Sequence, residues 1–479
     1  MIRKPQTLLG MKHGTMMLQP IFRWSRGAAV AALLAFFIPV VTPAQDAQHA
    51  SPLTLQQAVT IALEKNPQRK AALTETKAAA ADIREARSFL LPHVAFSETA
   101  TRGNDPVYVF GSKLRQHRFT TADFALNLLN TPTPLNNYST RFGGTWNLFD
   151  SFASWRGVHR AELGKEAAAH QLERADQEIV FSVVSAYDGV LLAKKQLEVA
   201  QQAMRTAQAI LERSKTRVES GVAVQSDLLN AQVRLAVRRQ ELIRAQDNLS
   251  LAHAELARAM GISTDKEIEP VETLTERSLA ETSLEELEKQ AMEKRPDLKR
   301  IQSEEAAQQQ SVAIAKSSFG PRVSAFADWE ADNPTFVSGG GGNNWMAGIE
   351  VRMDLFEGGA RRAKLQRERA MQEKVTALKT VATDAVRLEV RRAYYDFDAA
   401  QQQVEVAKAA IAQAEESLRI TQNRYESGVT TIIDLLSAEE AASRSQTDYW
   451  QTLYRYQTSY ANLELATGTL NTQSSVVTP

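Results

Sequence analysis

Two aspartates stand at matching places beside a motif that the chain contains twice. The motif is Glu-Ser-Gly-Val, at residues 219–222 and 426–429, and Asp227 and Asp434 follow its two glycines by six residues. Tyr425 precedes the second glycine by three residues. A carboxylate can attract cations or accept a hydrogen bond from a tyrosine hydroxyl, but it can also simply cap a helix that begins after a glycine turn. The elements around these residues must decide between the two roles.

Residue types that enzymes and metal proteins use are absent or badly spaced. The 479-residue chain has no cysteine, which excludes disulfides, thiolate metal sites and a cysteine nucleophile. Its seven histidines show no metal-ligand spacing, and the glycine run at 339–342 lacks the lysine of a phosphate-binding loop. The sequence therefore predicts that the protein is not an enzyme and needs no cofactor or metal.

The first 44 residues predict a signal peptide, so we expect the chain to be exported. Five basic residues and no acidic ones precede an apolar run of about 14 residues at 28–41, and Thr42-Pro43-Ala44 offers a cleavage site. The alternative is a membrane anchor, which needs roughly 20 apolar residues. Cleavage removes five of 56 basic residues and none of the 56 acidic ones, leaving a net charge of −5. That balance indicates no nucleic-acid partner.

The chain contains an internal duplication. Residues 55–99 align with 284–328 at a constant offset of 229, and residues 148–261 align with 355–468 at a constant offset of 207. The difference of 22 residues falls between the two blocks, so the first copy carries the longer insertion. A repeat of this kind indicates one architectural unit used twice.

The duplication divides the chain into four predicted parts. They are a signal peptide at 1–44, a first repeat at 45–282, a second repeat at 283–470 and a flexible C-terminal tail at 471–479. Each repeat is expected to contain a helix, a strand–loop–strand region at 93–149 or 322–356, a long helix and a further helix.

The long helices are predicted from proline placement and heptad spacing. There is no proline from 135 to 269 or from 335 to 478, and an internal proline would cost a helix ~3 kcal/mol or more. Apolar residues recur at alternating spacings of four and three from Ile179 to Leu211 and again from Val386 to Leu418, which is typical of a coiled-coil seam. Each repeat should contain a helix of roughly 65 residues, a glycine turn and a helix of roughly 36, the longer one spanning on the order of 100 Å.

Four segments have the alternation of strands. Those at 141–148 and 345–355 alternate apolar with polar residues, and weaker strands follow Pro92 and Pro321. One apolar and one polar face fit a strand between lipid and water, and fit a soluble sheet with one buried face equally well. The signal peptide and the long helices favour the membrane alternative.

Four strands per chain cannot close a barrel. Two chains would supply eight strands, whose interior side chains fill, whereas three chains would supply twelve and leave a plausible lumen. Geometry thus favours a homotrimer with helices continuing the tube. The connecting segments at 102–138 and 332–343, rich in Gly, Pro and Asn, are expected to be surface loops.

The ordered set of motifs resembles the outer-membrane efflux family, the TolC-like proteins. The residues that carry the resemblance include both Glu-Ser-Gly-Val turns, Asn66-Pro67, Ala86-Arg87-Ser88, Leu148-Phe149-Asp150 and Leu355-Phe356-Glu357-Gly358-Gly359. It covers nearly all of residues 53–468.

The resemblance implies a homotrimer with a twelve-stranded barrel in the lipid of the cell outer membrane and a long helical barrel in the periplasm. It also implies docking with a periplasmic adaptor and a proton-driven or ATP-driven inner-membrane transporter. Asp227, Tyr425 and Asp434 match positions that hold the periplasmic entrance of the family shut. The family's gate arginine falls at Thr430 and a second acidic position at Ser437, so this gate is expected to be wired differently.

The function expected from these observations is the exit duct of an efflux pump or a type I secretion system. The alternative function is a periplasmic adaptor, which would have one helical hairpin between small β-domains rather than two tandem copies. A structural coiled coil is a third possibility, against which the strands argue. The identity of the cargo does not follow from the sequence, because an open duct is selected largely by its partners.

Overall fold

The computed structural model describes residues 51–265, 268–275, 283–336 and 342–478. The predicted signal peptide at 1–44 lies outside these residues. The predicted boundary between the repeats falls at 282–283. The residues just before it lie outside the described ranges, so the boundary stays a prediction.

The first half of the described chain alternates helices and strands. Its elements are β1 (Ser51–Leu53), α1 (Leu55–Lys65), α2 (Pro67–Ser88), β2 (His93–Gly103), α3 (Pro106–Arg115), α4 (Leu126–Asn130), β3 (Leu135–Phe149), α5 (Ala153–Glu219) and α6 (Gln225–Ala259). The second half has β4 (Ile268–Pro270), α7 (Leu284–Lys294), α8 (Pro296–Ser317), β5 (Arg322–Asn333), β6 (Gly342–Arg352), α9 (Ala360–Glu426) and α10 (Ile432–Thr467).

The long helices confirm the prediction from proline placement and heptad spacing. Helices α5 and α9 each have 67 residues, and α6 and α10, which follow them, have 35 and 36. The apolar positions of the seam are buried, including Ile179 and Val183 on α5 and Val386 and Val390 on α9. At 1.5 Å per residue the long helices are about 100 Å in length.

A close backbone contact fixes the first helix pair of each repeat onto its last helix. In the first half, Gly261 has a φ of +69°, and a Cβ there would lie 2.6 Å from the Cα of Asn66. The side chain of Asn66 donates to the carbonyl of Ala259 at 2.9 Å. In the second half, a Cβ on Gly468 would lie 2.9 Å from the Cα of Arg295. Both contacts therefore require glycine, because of the left-handed backbone and the lack of space.

The four longer strands form one antiparallel sheet in the order β2-β3-β5-β6. Its register puts Phe96, Phe142, Trp329 and Trp345 in one row across all four strands. Directly opposite residues share a face, and faces alternate along a strand. The apolar face of the sheet therefore carries this aromatic row with Val94, Trp146, Ile349 and Val351.

The opposite face of the sheet is polar. One row of it consists of Ser97, Arg141, Glu330 and Asn344, and the row nearer the loops has Ser139 beside Asp332. Arg141 pairs with Asp328 at 2.9 Å on this face. The two faces of the sheet therefore differ sharply in chemistry, as the alternation in the sequence predicts.

The connection between β2 and β3 differs from the predicted loop at 102–138. It contains helices α3 and α4, and β3 already begins at Leu135. Helix α3 begins where Asp105 accepts a hydrogen bond from the backbone of Tyr108 at 2.9 Å and Pro106 occupies the first turn. An Asp-Pro pair can start a helix as well as a turn, which is why the composition of the segment suggested a loop.

The main core lies where the two halves meet. It joins α1, α5, α6 and α10, with Tyr187, Leu256 and Leu453 almost completely buried. The hydroxyl of Tyr187 donates to the carbonyl of Leu53 at 2.9 Å and accepts from the amide of Val271 at 3.1 Å. This tyrosine thereby ties the parallel pair β1–β4 to the core. Within the described residues, no helix combines the length and the hydrophobicity that crossing a membrane requires.

The C-terminal residues differ from the flexible tail expected at 471–479. Val476 and Val477 are buried in the main core, and Ser474 is buried beside them. Two valines in an otherwise polar segment are a weak indication of packing when only the sequence is considered. Their burial nevertheless removes enough apolar surface from water to hold a short tail against the core. Residues 471–478 are therefore part of the packed structure, while residue 479 lies outside the described range.

We predict that Glu464, which lies under this tail, makes stability depend on pH. Burial raises the pKa of Glu464, and one of its carboxyl oxygens has no hydrogen-bond partner. Because the pKa of Glu464 is raised in the folded state, the protonated side chain contributes its full stability at pH values below the pKa of the unfolded chain. This contribution is lost as the pH rises through the pKa of the folded state. Glu464→Gln should therefore raise the midpoint of thermal unfolding at neutral pH and have little effect at acidic pH.

The control for this variant is Glu373→Gln, at an exposed position of α9. Thermal unfolding of both variants in detergent, at one scan rate and at several pH values, provides the measurement. An equal effect of Glu464→Gln at acidic and neutral pH would show that the change acts through packing rather than through the proton.

Candidate functional site at the hairpin turns

The turns that join α5 to α6 and α9 to α10 have the same geometry. In the first, the amide of Val222 donates to the carbonyl of Arg217 and the amide of Gly221 donates to the carbonyl of Val218. The second repeats this pattern around Gly428, and both glycines have positive φ angles, of 73° and 74°. This double hydrogen bond ends a helix on a left-handed residue. It places Asp227 and Asp434 in the first turns of α6 and α10.

Asp434 caps α10. Its Oδ2 accepts hydrogen bonds from the hydroxyls of Thr431 at 2.7 Å and Thr430 at 2.8 Å, while its own amide donates to the Thr431 hydroxyl at 3.2 Å. Hydrogen bonds from Thr431 and then Thr430 lower the pKa of Asp434. The carboxylate is nevertheless exposed, so it can cap the helix and also present a negative charge to solvent.

Asp227 occupies the equivalent place in the first repeat with different surroundings. The residue that corresponds to Thr431 is Val224, which has no hydroxyl, and α6 has no side-chain cap. Within the described residues, the carboxylate of Asp227 has no hydrogen-bond or ion-pair partner. A charged group of this kind is available to bind a cation or a donor from outside the chain.

Tyr425 is buried and does not reach Asp227. Its ring is 5% exposed and packs in an apolar cluster with Ile210 and Ile432. The guanidinium of Arg217 lies 5.0 Å from the ring centroid. The Tyr425 hydroxyl is buried without a hydrogen-bond partner, so the hydrogen bond to Asp227 that the sequence suggested is not formed within one chain.

Arginines of the first hairpin, which the sequence analysis did not single out, hold the second hairpin near the turns. Arg213 pairs with the carboxylate of Glu426 at 2.6 Å. Arg217 donates to the carbonyl of Tyr425 at 3.1 Å. Thr430, where the resemblance implies a gate arginine, donates to Asp434, and the arginines that contact this end of α9 come from α5.

A second group of charges joins α6 to α10 farther from the turns. Arg238 and Glu439 are each 3% exposed and pair at 2.8 Å. Arg238 also contacts Glu440 at 3.0 Å and Glu241 at 2.7 Å, and Arg234 binds Glu440 at 2.5 Å. Burial disfavours the charge of Arg238, but hydrogen bonds to Glu439 and Glu241 outweigh it and raise the pKa of the guanidinium.

The alignment of the two copies contains a signal for this charge group. At the offset of 207, Arg234 and Arg238 correspond to Ala441 and Ser445, while Glu439 and Glu440 correspond to Gln232 and Val233. At these four pairs of positions, arginine occurs only in the first copy and glutamate only in the second. Differences between repeats, rather than their similarities, mark the contacts between the hairpins.

Comparison with known proteins identifies relatives along most of the chain. The family described as outer membrane efflux protein matches residues 58–262 and 287–469. The alkaline protease secretion protein AprF of Pseudomonas aeruginosa is 24% identical over 422 residues, which are 86% of this chain and 83% of that protein. Protein CyaE of Bordetella pertussis is 27% identical over 397 residues, 81% of this chain and 78% of its own.

Solved structures confirm the predicted fold class, mainly helical with a small β part. The CmeC outer membrane channel of Campylobacter jejuni matches with a TM-score of 0.75 at 17% identity, over 88% of this chain and 87% of that one. The outer membrane protein VceC of Vibrio cholerae matches with a TM-score of 0.72 at 21% identity, over 86% and 96%. The fold is thus shared despite low sequence identity.

We predict that Arg238→Ala destabilises the pairing of the hairpins strongly. Removing one partner of a buried ion pair typically costs about 3–5 kcal/mol, because the other charge stays buried without compensation. The measurement is the midpoint of thermal unfolding in detergent. Arg239→Ala is the matched control, since Arg239 is the exposed neighbour on the same helix.

The double variant Arg238→Met with Glu439→Leu should recover most of the loss, because an apolar pair of similar volume leaves no uncompensated charge. If Arg238→Ala unfolds at the same temperature as Arg239→Ala, the buried pair does not hold the hairpins together.

Proposed function

We propose, because this chain belongs to the outer membrane efflux protein family, that three copies of it form one continuous duct through which cargo leaves the cell. The chain is an outer-membrane exit channel of the kind used in efflux and type I secretion. The proposed trimer, the partners and the entrance residues go beyond that family assignment, and each is supported by a separate property of the chain.

The observation that carries the trimer is the exposed apolar face of the sheet. Phe96, Trp345, Ile349 and Val351 are 62%, 80%, 69% and 67% exposed in the single chain. Strands β2 and β6 form the two edges of the sheet, and unpaired edge groups invite pairing with another chain. Pairing β6 of one copy with β2 of the next, three times, closes a twelve-stranded sheet with the apolar face toward lipid and the polar face toward water.

The helices support the same assembly. Apolar side chains outside the buried seam remain exposed along the helices of a single chain: Val233, Val237, Val381, Leu388, Val406 and Ile420. Exposed apolar side chains that recur along both helices suit an interface between copies. We expect neighbouring copies to cover these side chains, so that the helices of three chains enclose one tube of about 100 Å.

The partners are proposed from the family and its relatives. AprF and PrtF are named for protease secretion, and OpmQ for pyoverdine export. From these relatives we infer two partners for this chain. One is a periplasmic adaptor that docks on the helical end, and the other is an inner-membrane transporter that supplies cargo and energy. In this arrangement the chain conducts cargo and does no chemistry of its own, and the alternative assignment of the chain as the adaptor is disfavoured.

The trimer predicts opposite responses at two adjacent exposed residues of β6. Trp345 is 80% exposed on the apolar face and Met346 is 58% exposed on the polar face. Arginine on a lipid-facing strand position costs up to roughly 2–4 kcal/mol, depending on its depth in the bilayer, and the trimer carries three copies of it. Trp345→Arg should therefore abolish heat-sensitive trimers in the outer-membrane fraction, whereas Met346→Arg should retain them.

The measurement is gel migration of unheated and heated outer-membrane extracts, with chemical crosslinking to count subunits. Wild-type chain that fractionates with soluble periplasmic proteins, or that crosslinks no further than a dimer, would refute the proposed channel. Equal tolerance of both arginine variants would refute the assignment of the two faces.

Asp227, Tyr425 and Asp434 are proposed as part of the periplasmic entrance. In a trimer each is present three times near the hairpin turns, where rings of carboxylates attract cations into a narrow opening. The exposed carboxylate of Asp434 and the unpartnered one of Asp227 suit this role. Tyr425, buried beneath Arg217, would instead hold the end of α9 in its closed position.

We predict that Asp434→Asn weakens the block of purified channels by multivalent cations in planar bilayers. Thr431→Val is the matched control, because it removes the cap of α10 but keeps the carboxylate, and so copies the arrangement around Asp227. A lost helix cap typically costs about 1 kcal/mol, so both variants should lose some stability, but only Asp434→Asn should change the block. An equal change in both variants would reduce Asp434 to a helix cap.

A further inference from the structure

The insertion that distinguishes the first repeat is a folded unit. We call residues 104–134, between β2 and β3, the exit segment. Phe119 lies between Phe110 and Phe124, with ring centroids 4.8 and 5.1 Å apart. Lys113 pairs with Asp123 at 2.6 Å. Contacts of this kind give the segment a fixed shape, unlike an extended loop.

The exit segment is attached to the sheet through the end of α3. The guanidinium of Arg115 lies 3.6 Å from the carboxylate of Glu330 on β5. The carbonyl of Arg115 accepts a hydrogen bond from Asn344 on β6 at 3.2 Å. Gln116 donates to the side chain of Asn137 on β3 at 2.8 Å. Three of the four strands thus hold the same two residues of the segment.

All these contacts fall on the polar face of the sheet. Asp332 stands opposite Ser139 and Gly342, and Glu330 stands opposite Arg141 and Asn344. Asn137 lies two residues before Ser139 and therefore shares its face. None of these residues belongs to the aromatic row, which is on the other side. The register therefore places the end of α3 over the face that turns toward water in the proposed trimer.

A glycine shows how closely the exit segment lies on this face. A Cβ built on Gly342 would be 1.5 Å from the carbonyl oxygen of Arg115 and 2.6 Å from its carbonyl carbon. Gly103, at the end of β2, meets the ring of Tyr108 in the same way at 3.3 Å. The backbone of the segment rests directly on the sheet at Gly342, so any side chain there would displace it.

We infer that the exit segment is a cap over the outer mouth of the duct, which sets the size of what can pass. The inference rests on the proposed trimer, in which the polar face lines the lumen and three exit segments project into it from the end opposite the helices. Val107, Phe124 and Leu126 are 81%, 62% and 77% exposed in one chain. In the trimer these side chains meet the exit segments of the neighbouring copies and narrow the opening further.

Polar contacts attach the cap to the sheet, and some buried acceptor oxygens at these contacts have no hydrogen-bond donor. Such an attachment suits a segment that large cargo must push aside. Arg115 is 60% exposed in its pair with Glu330, and exposed pairs contribute little. Asn137, the sheet residue that holds Gln116, donates in turn to one oxygen of the buried Asp332 at 2.5 Å, while the other oxygen of Asp332 has no partner. The buried Oε1 of Gln116 has none either. A buried acceptor without a donor costs free energy, so these hydrogen bonds stabilise the attachment of the cap less than apolar packing would.

The test uses the absence of cysteine from the chain, which makes single-cysteine labelling specific. Thr145→Cys puts a thiol on the polar face of β3, six residues beyond Ser139 and therefore about 20 Å deeper at ~3.3 Å per residue. Intact cells receive either a small permeant maleimide or a maleimide on a bulky polyethylene glycol. The cysteine is tested in two backgrounds: the wild-type exit segment, and a variant in which Asn-Gly replaces the whole segment. Asn-Gly suits a tight hairpin, and it would join the paired residues Gly103 and Leu135.

The small reagent should label Thr145→Cys in both backgrounds, and the bulky one only after the exit segment is replaced. Gly342→Val should also admit the bulky reagent, because the added side chain displaces Arg115, whereas Gly111→Ala, in open space on α3, should not. Trimer migration on unheated gels verifies that each variant is assembled.

Labelling of the wild-type background by the bulky reagent, at the rate seen after replacement, would overturn the cap. Failure of the small reagent to label assembled trimers would instead show that Thr145 does not face water, which would refute the proposed lumen itself.

Discussion

A four-stranded sheet with one exposed aromatic face and two open edges is the constraint on which the rest of this structure depends. The row of Phe96, Phe142, Trp329 and Trp345 crosses the four strands of the sheet, and no helix in the described part of the chain covers it. Water disfavours the exposed rings, and lipid disfavours the unpaired backbone groups at the edges. In the proposed trimer, pairing between copies would satisfy the edges, and lipid would take up the aromatic face. The helices would then continue from one end of the closed sheet, and the exit segment would lie at the other.

The duplication supplies two nearly equal scaffolds, and the differences between them hold the hairpins together. The glycine turns and the close contacts of Gly261 and Gly468 recur in both halves. Arg238 and Glu439, however, have no counterparts of like charge in the other copy. Divergence of the two copies left an arginine in one and a glutamate in the other, and these form an ion pair inside the interface. Duplication followed by charge separation thus gives each chain a fixed order of its two hairpins.

Apolar and polar contacts are distributed unequally along the helices. The main core around Tyr187 and Leu453 draws on five helices and on strand β4, whereas the cluster around Tyr425 near the turns is small. Toward the turns the hairpins depend more on charge, and the outermost pair, Arg213 with Glu426, is about half exposed. Exposed pairs contribute about 0–1 kcal/mol. Separating the turns should therefore cost less than separating the middle of the molecule, as the proposed entrance at that end requires.

The sequence by itself determined the parts of this protein that repeat along the chain. Heptad spacing and the absence of proline predicted the 67-residue helices, since helix formation is governed by local periodicity. Alternation predicted the strands, and the constant offsets revealed the two copies. Val476 and Val477 were missed because two valines have no periodicity, although their burial holds the C-terminus in place.

The tertiary structure alone decided which side chains meet. Asp227 and Asp434 occupy the same place in the sequence motif, yet only Asp434 has threonine hydroxyls as partners. Glu439 is buried because Arg238 reaches it from a helix 201 residues away in sequence, and the end of α3 lies on the polar face because strands β3, β5 and β6 meet there. A pattern along one element fixes which residues share a face, but the partner of each face depends on how distant segments pack, and one sequence read linearly does not contain that information.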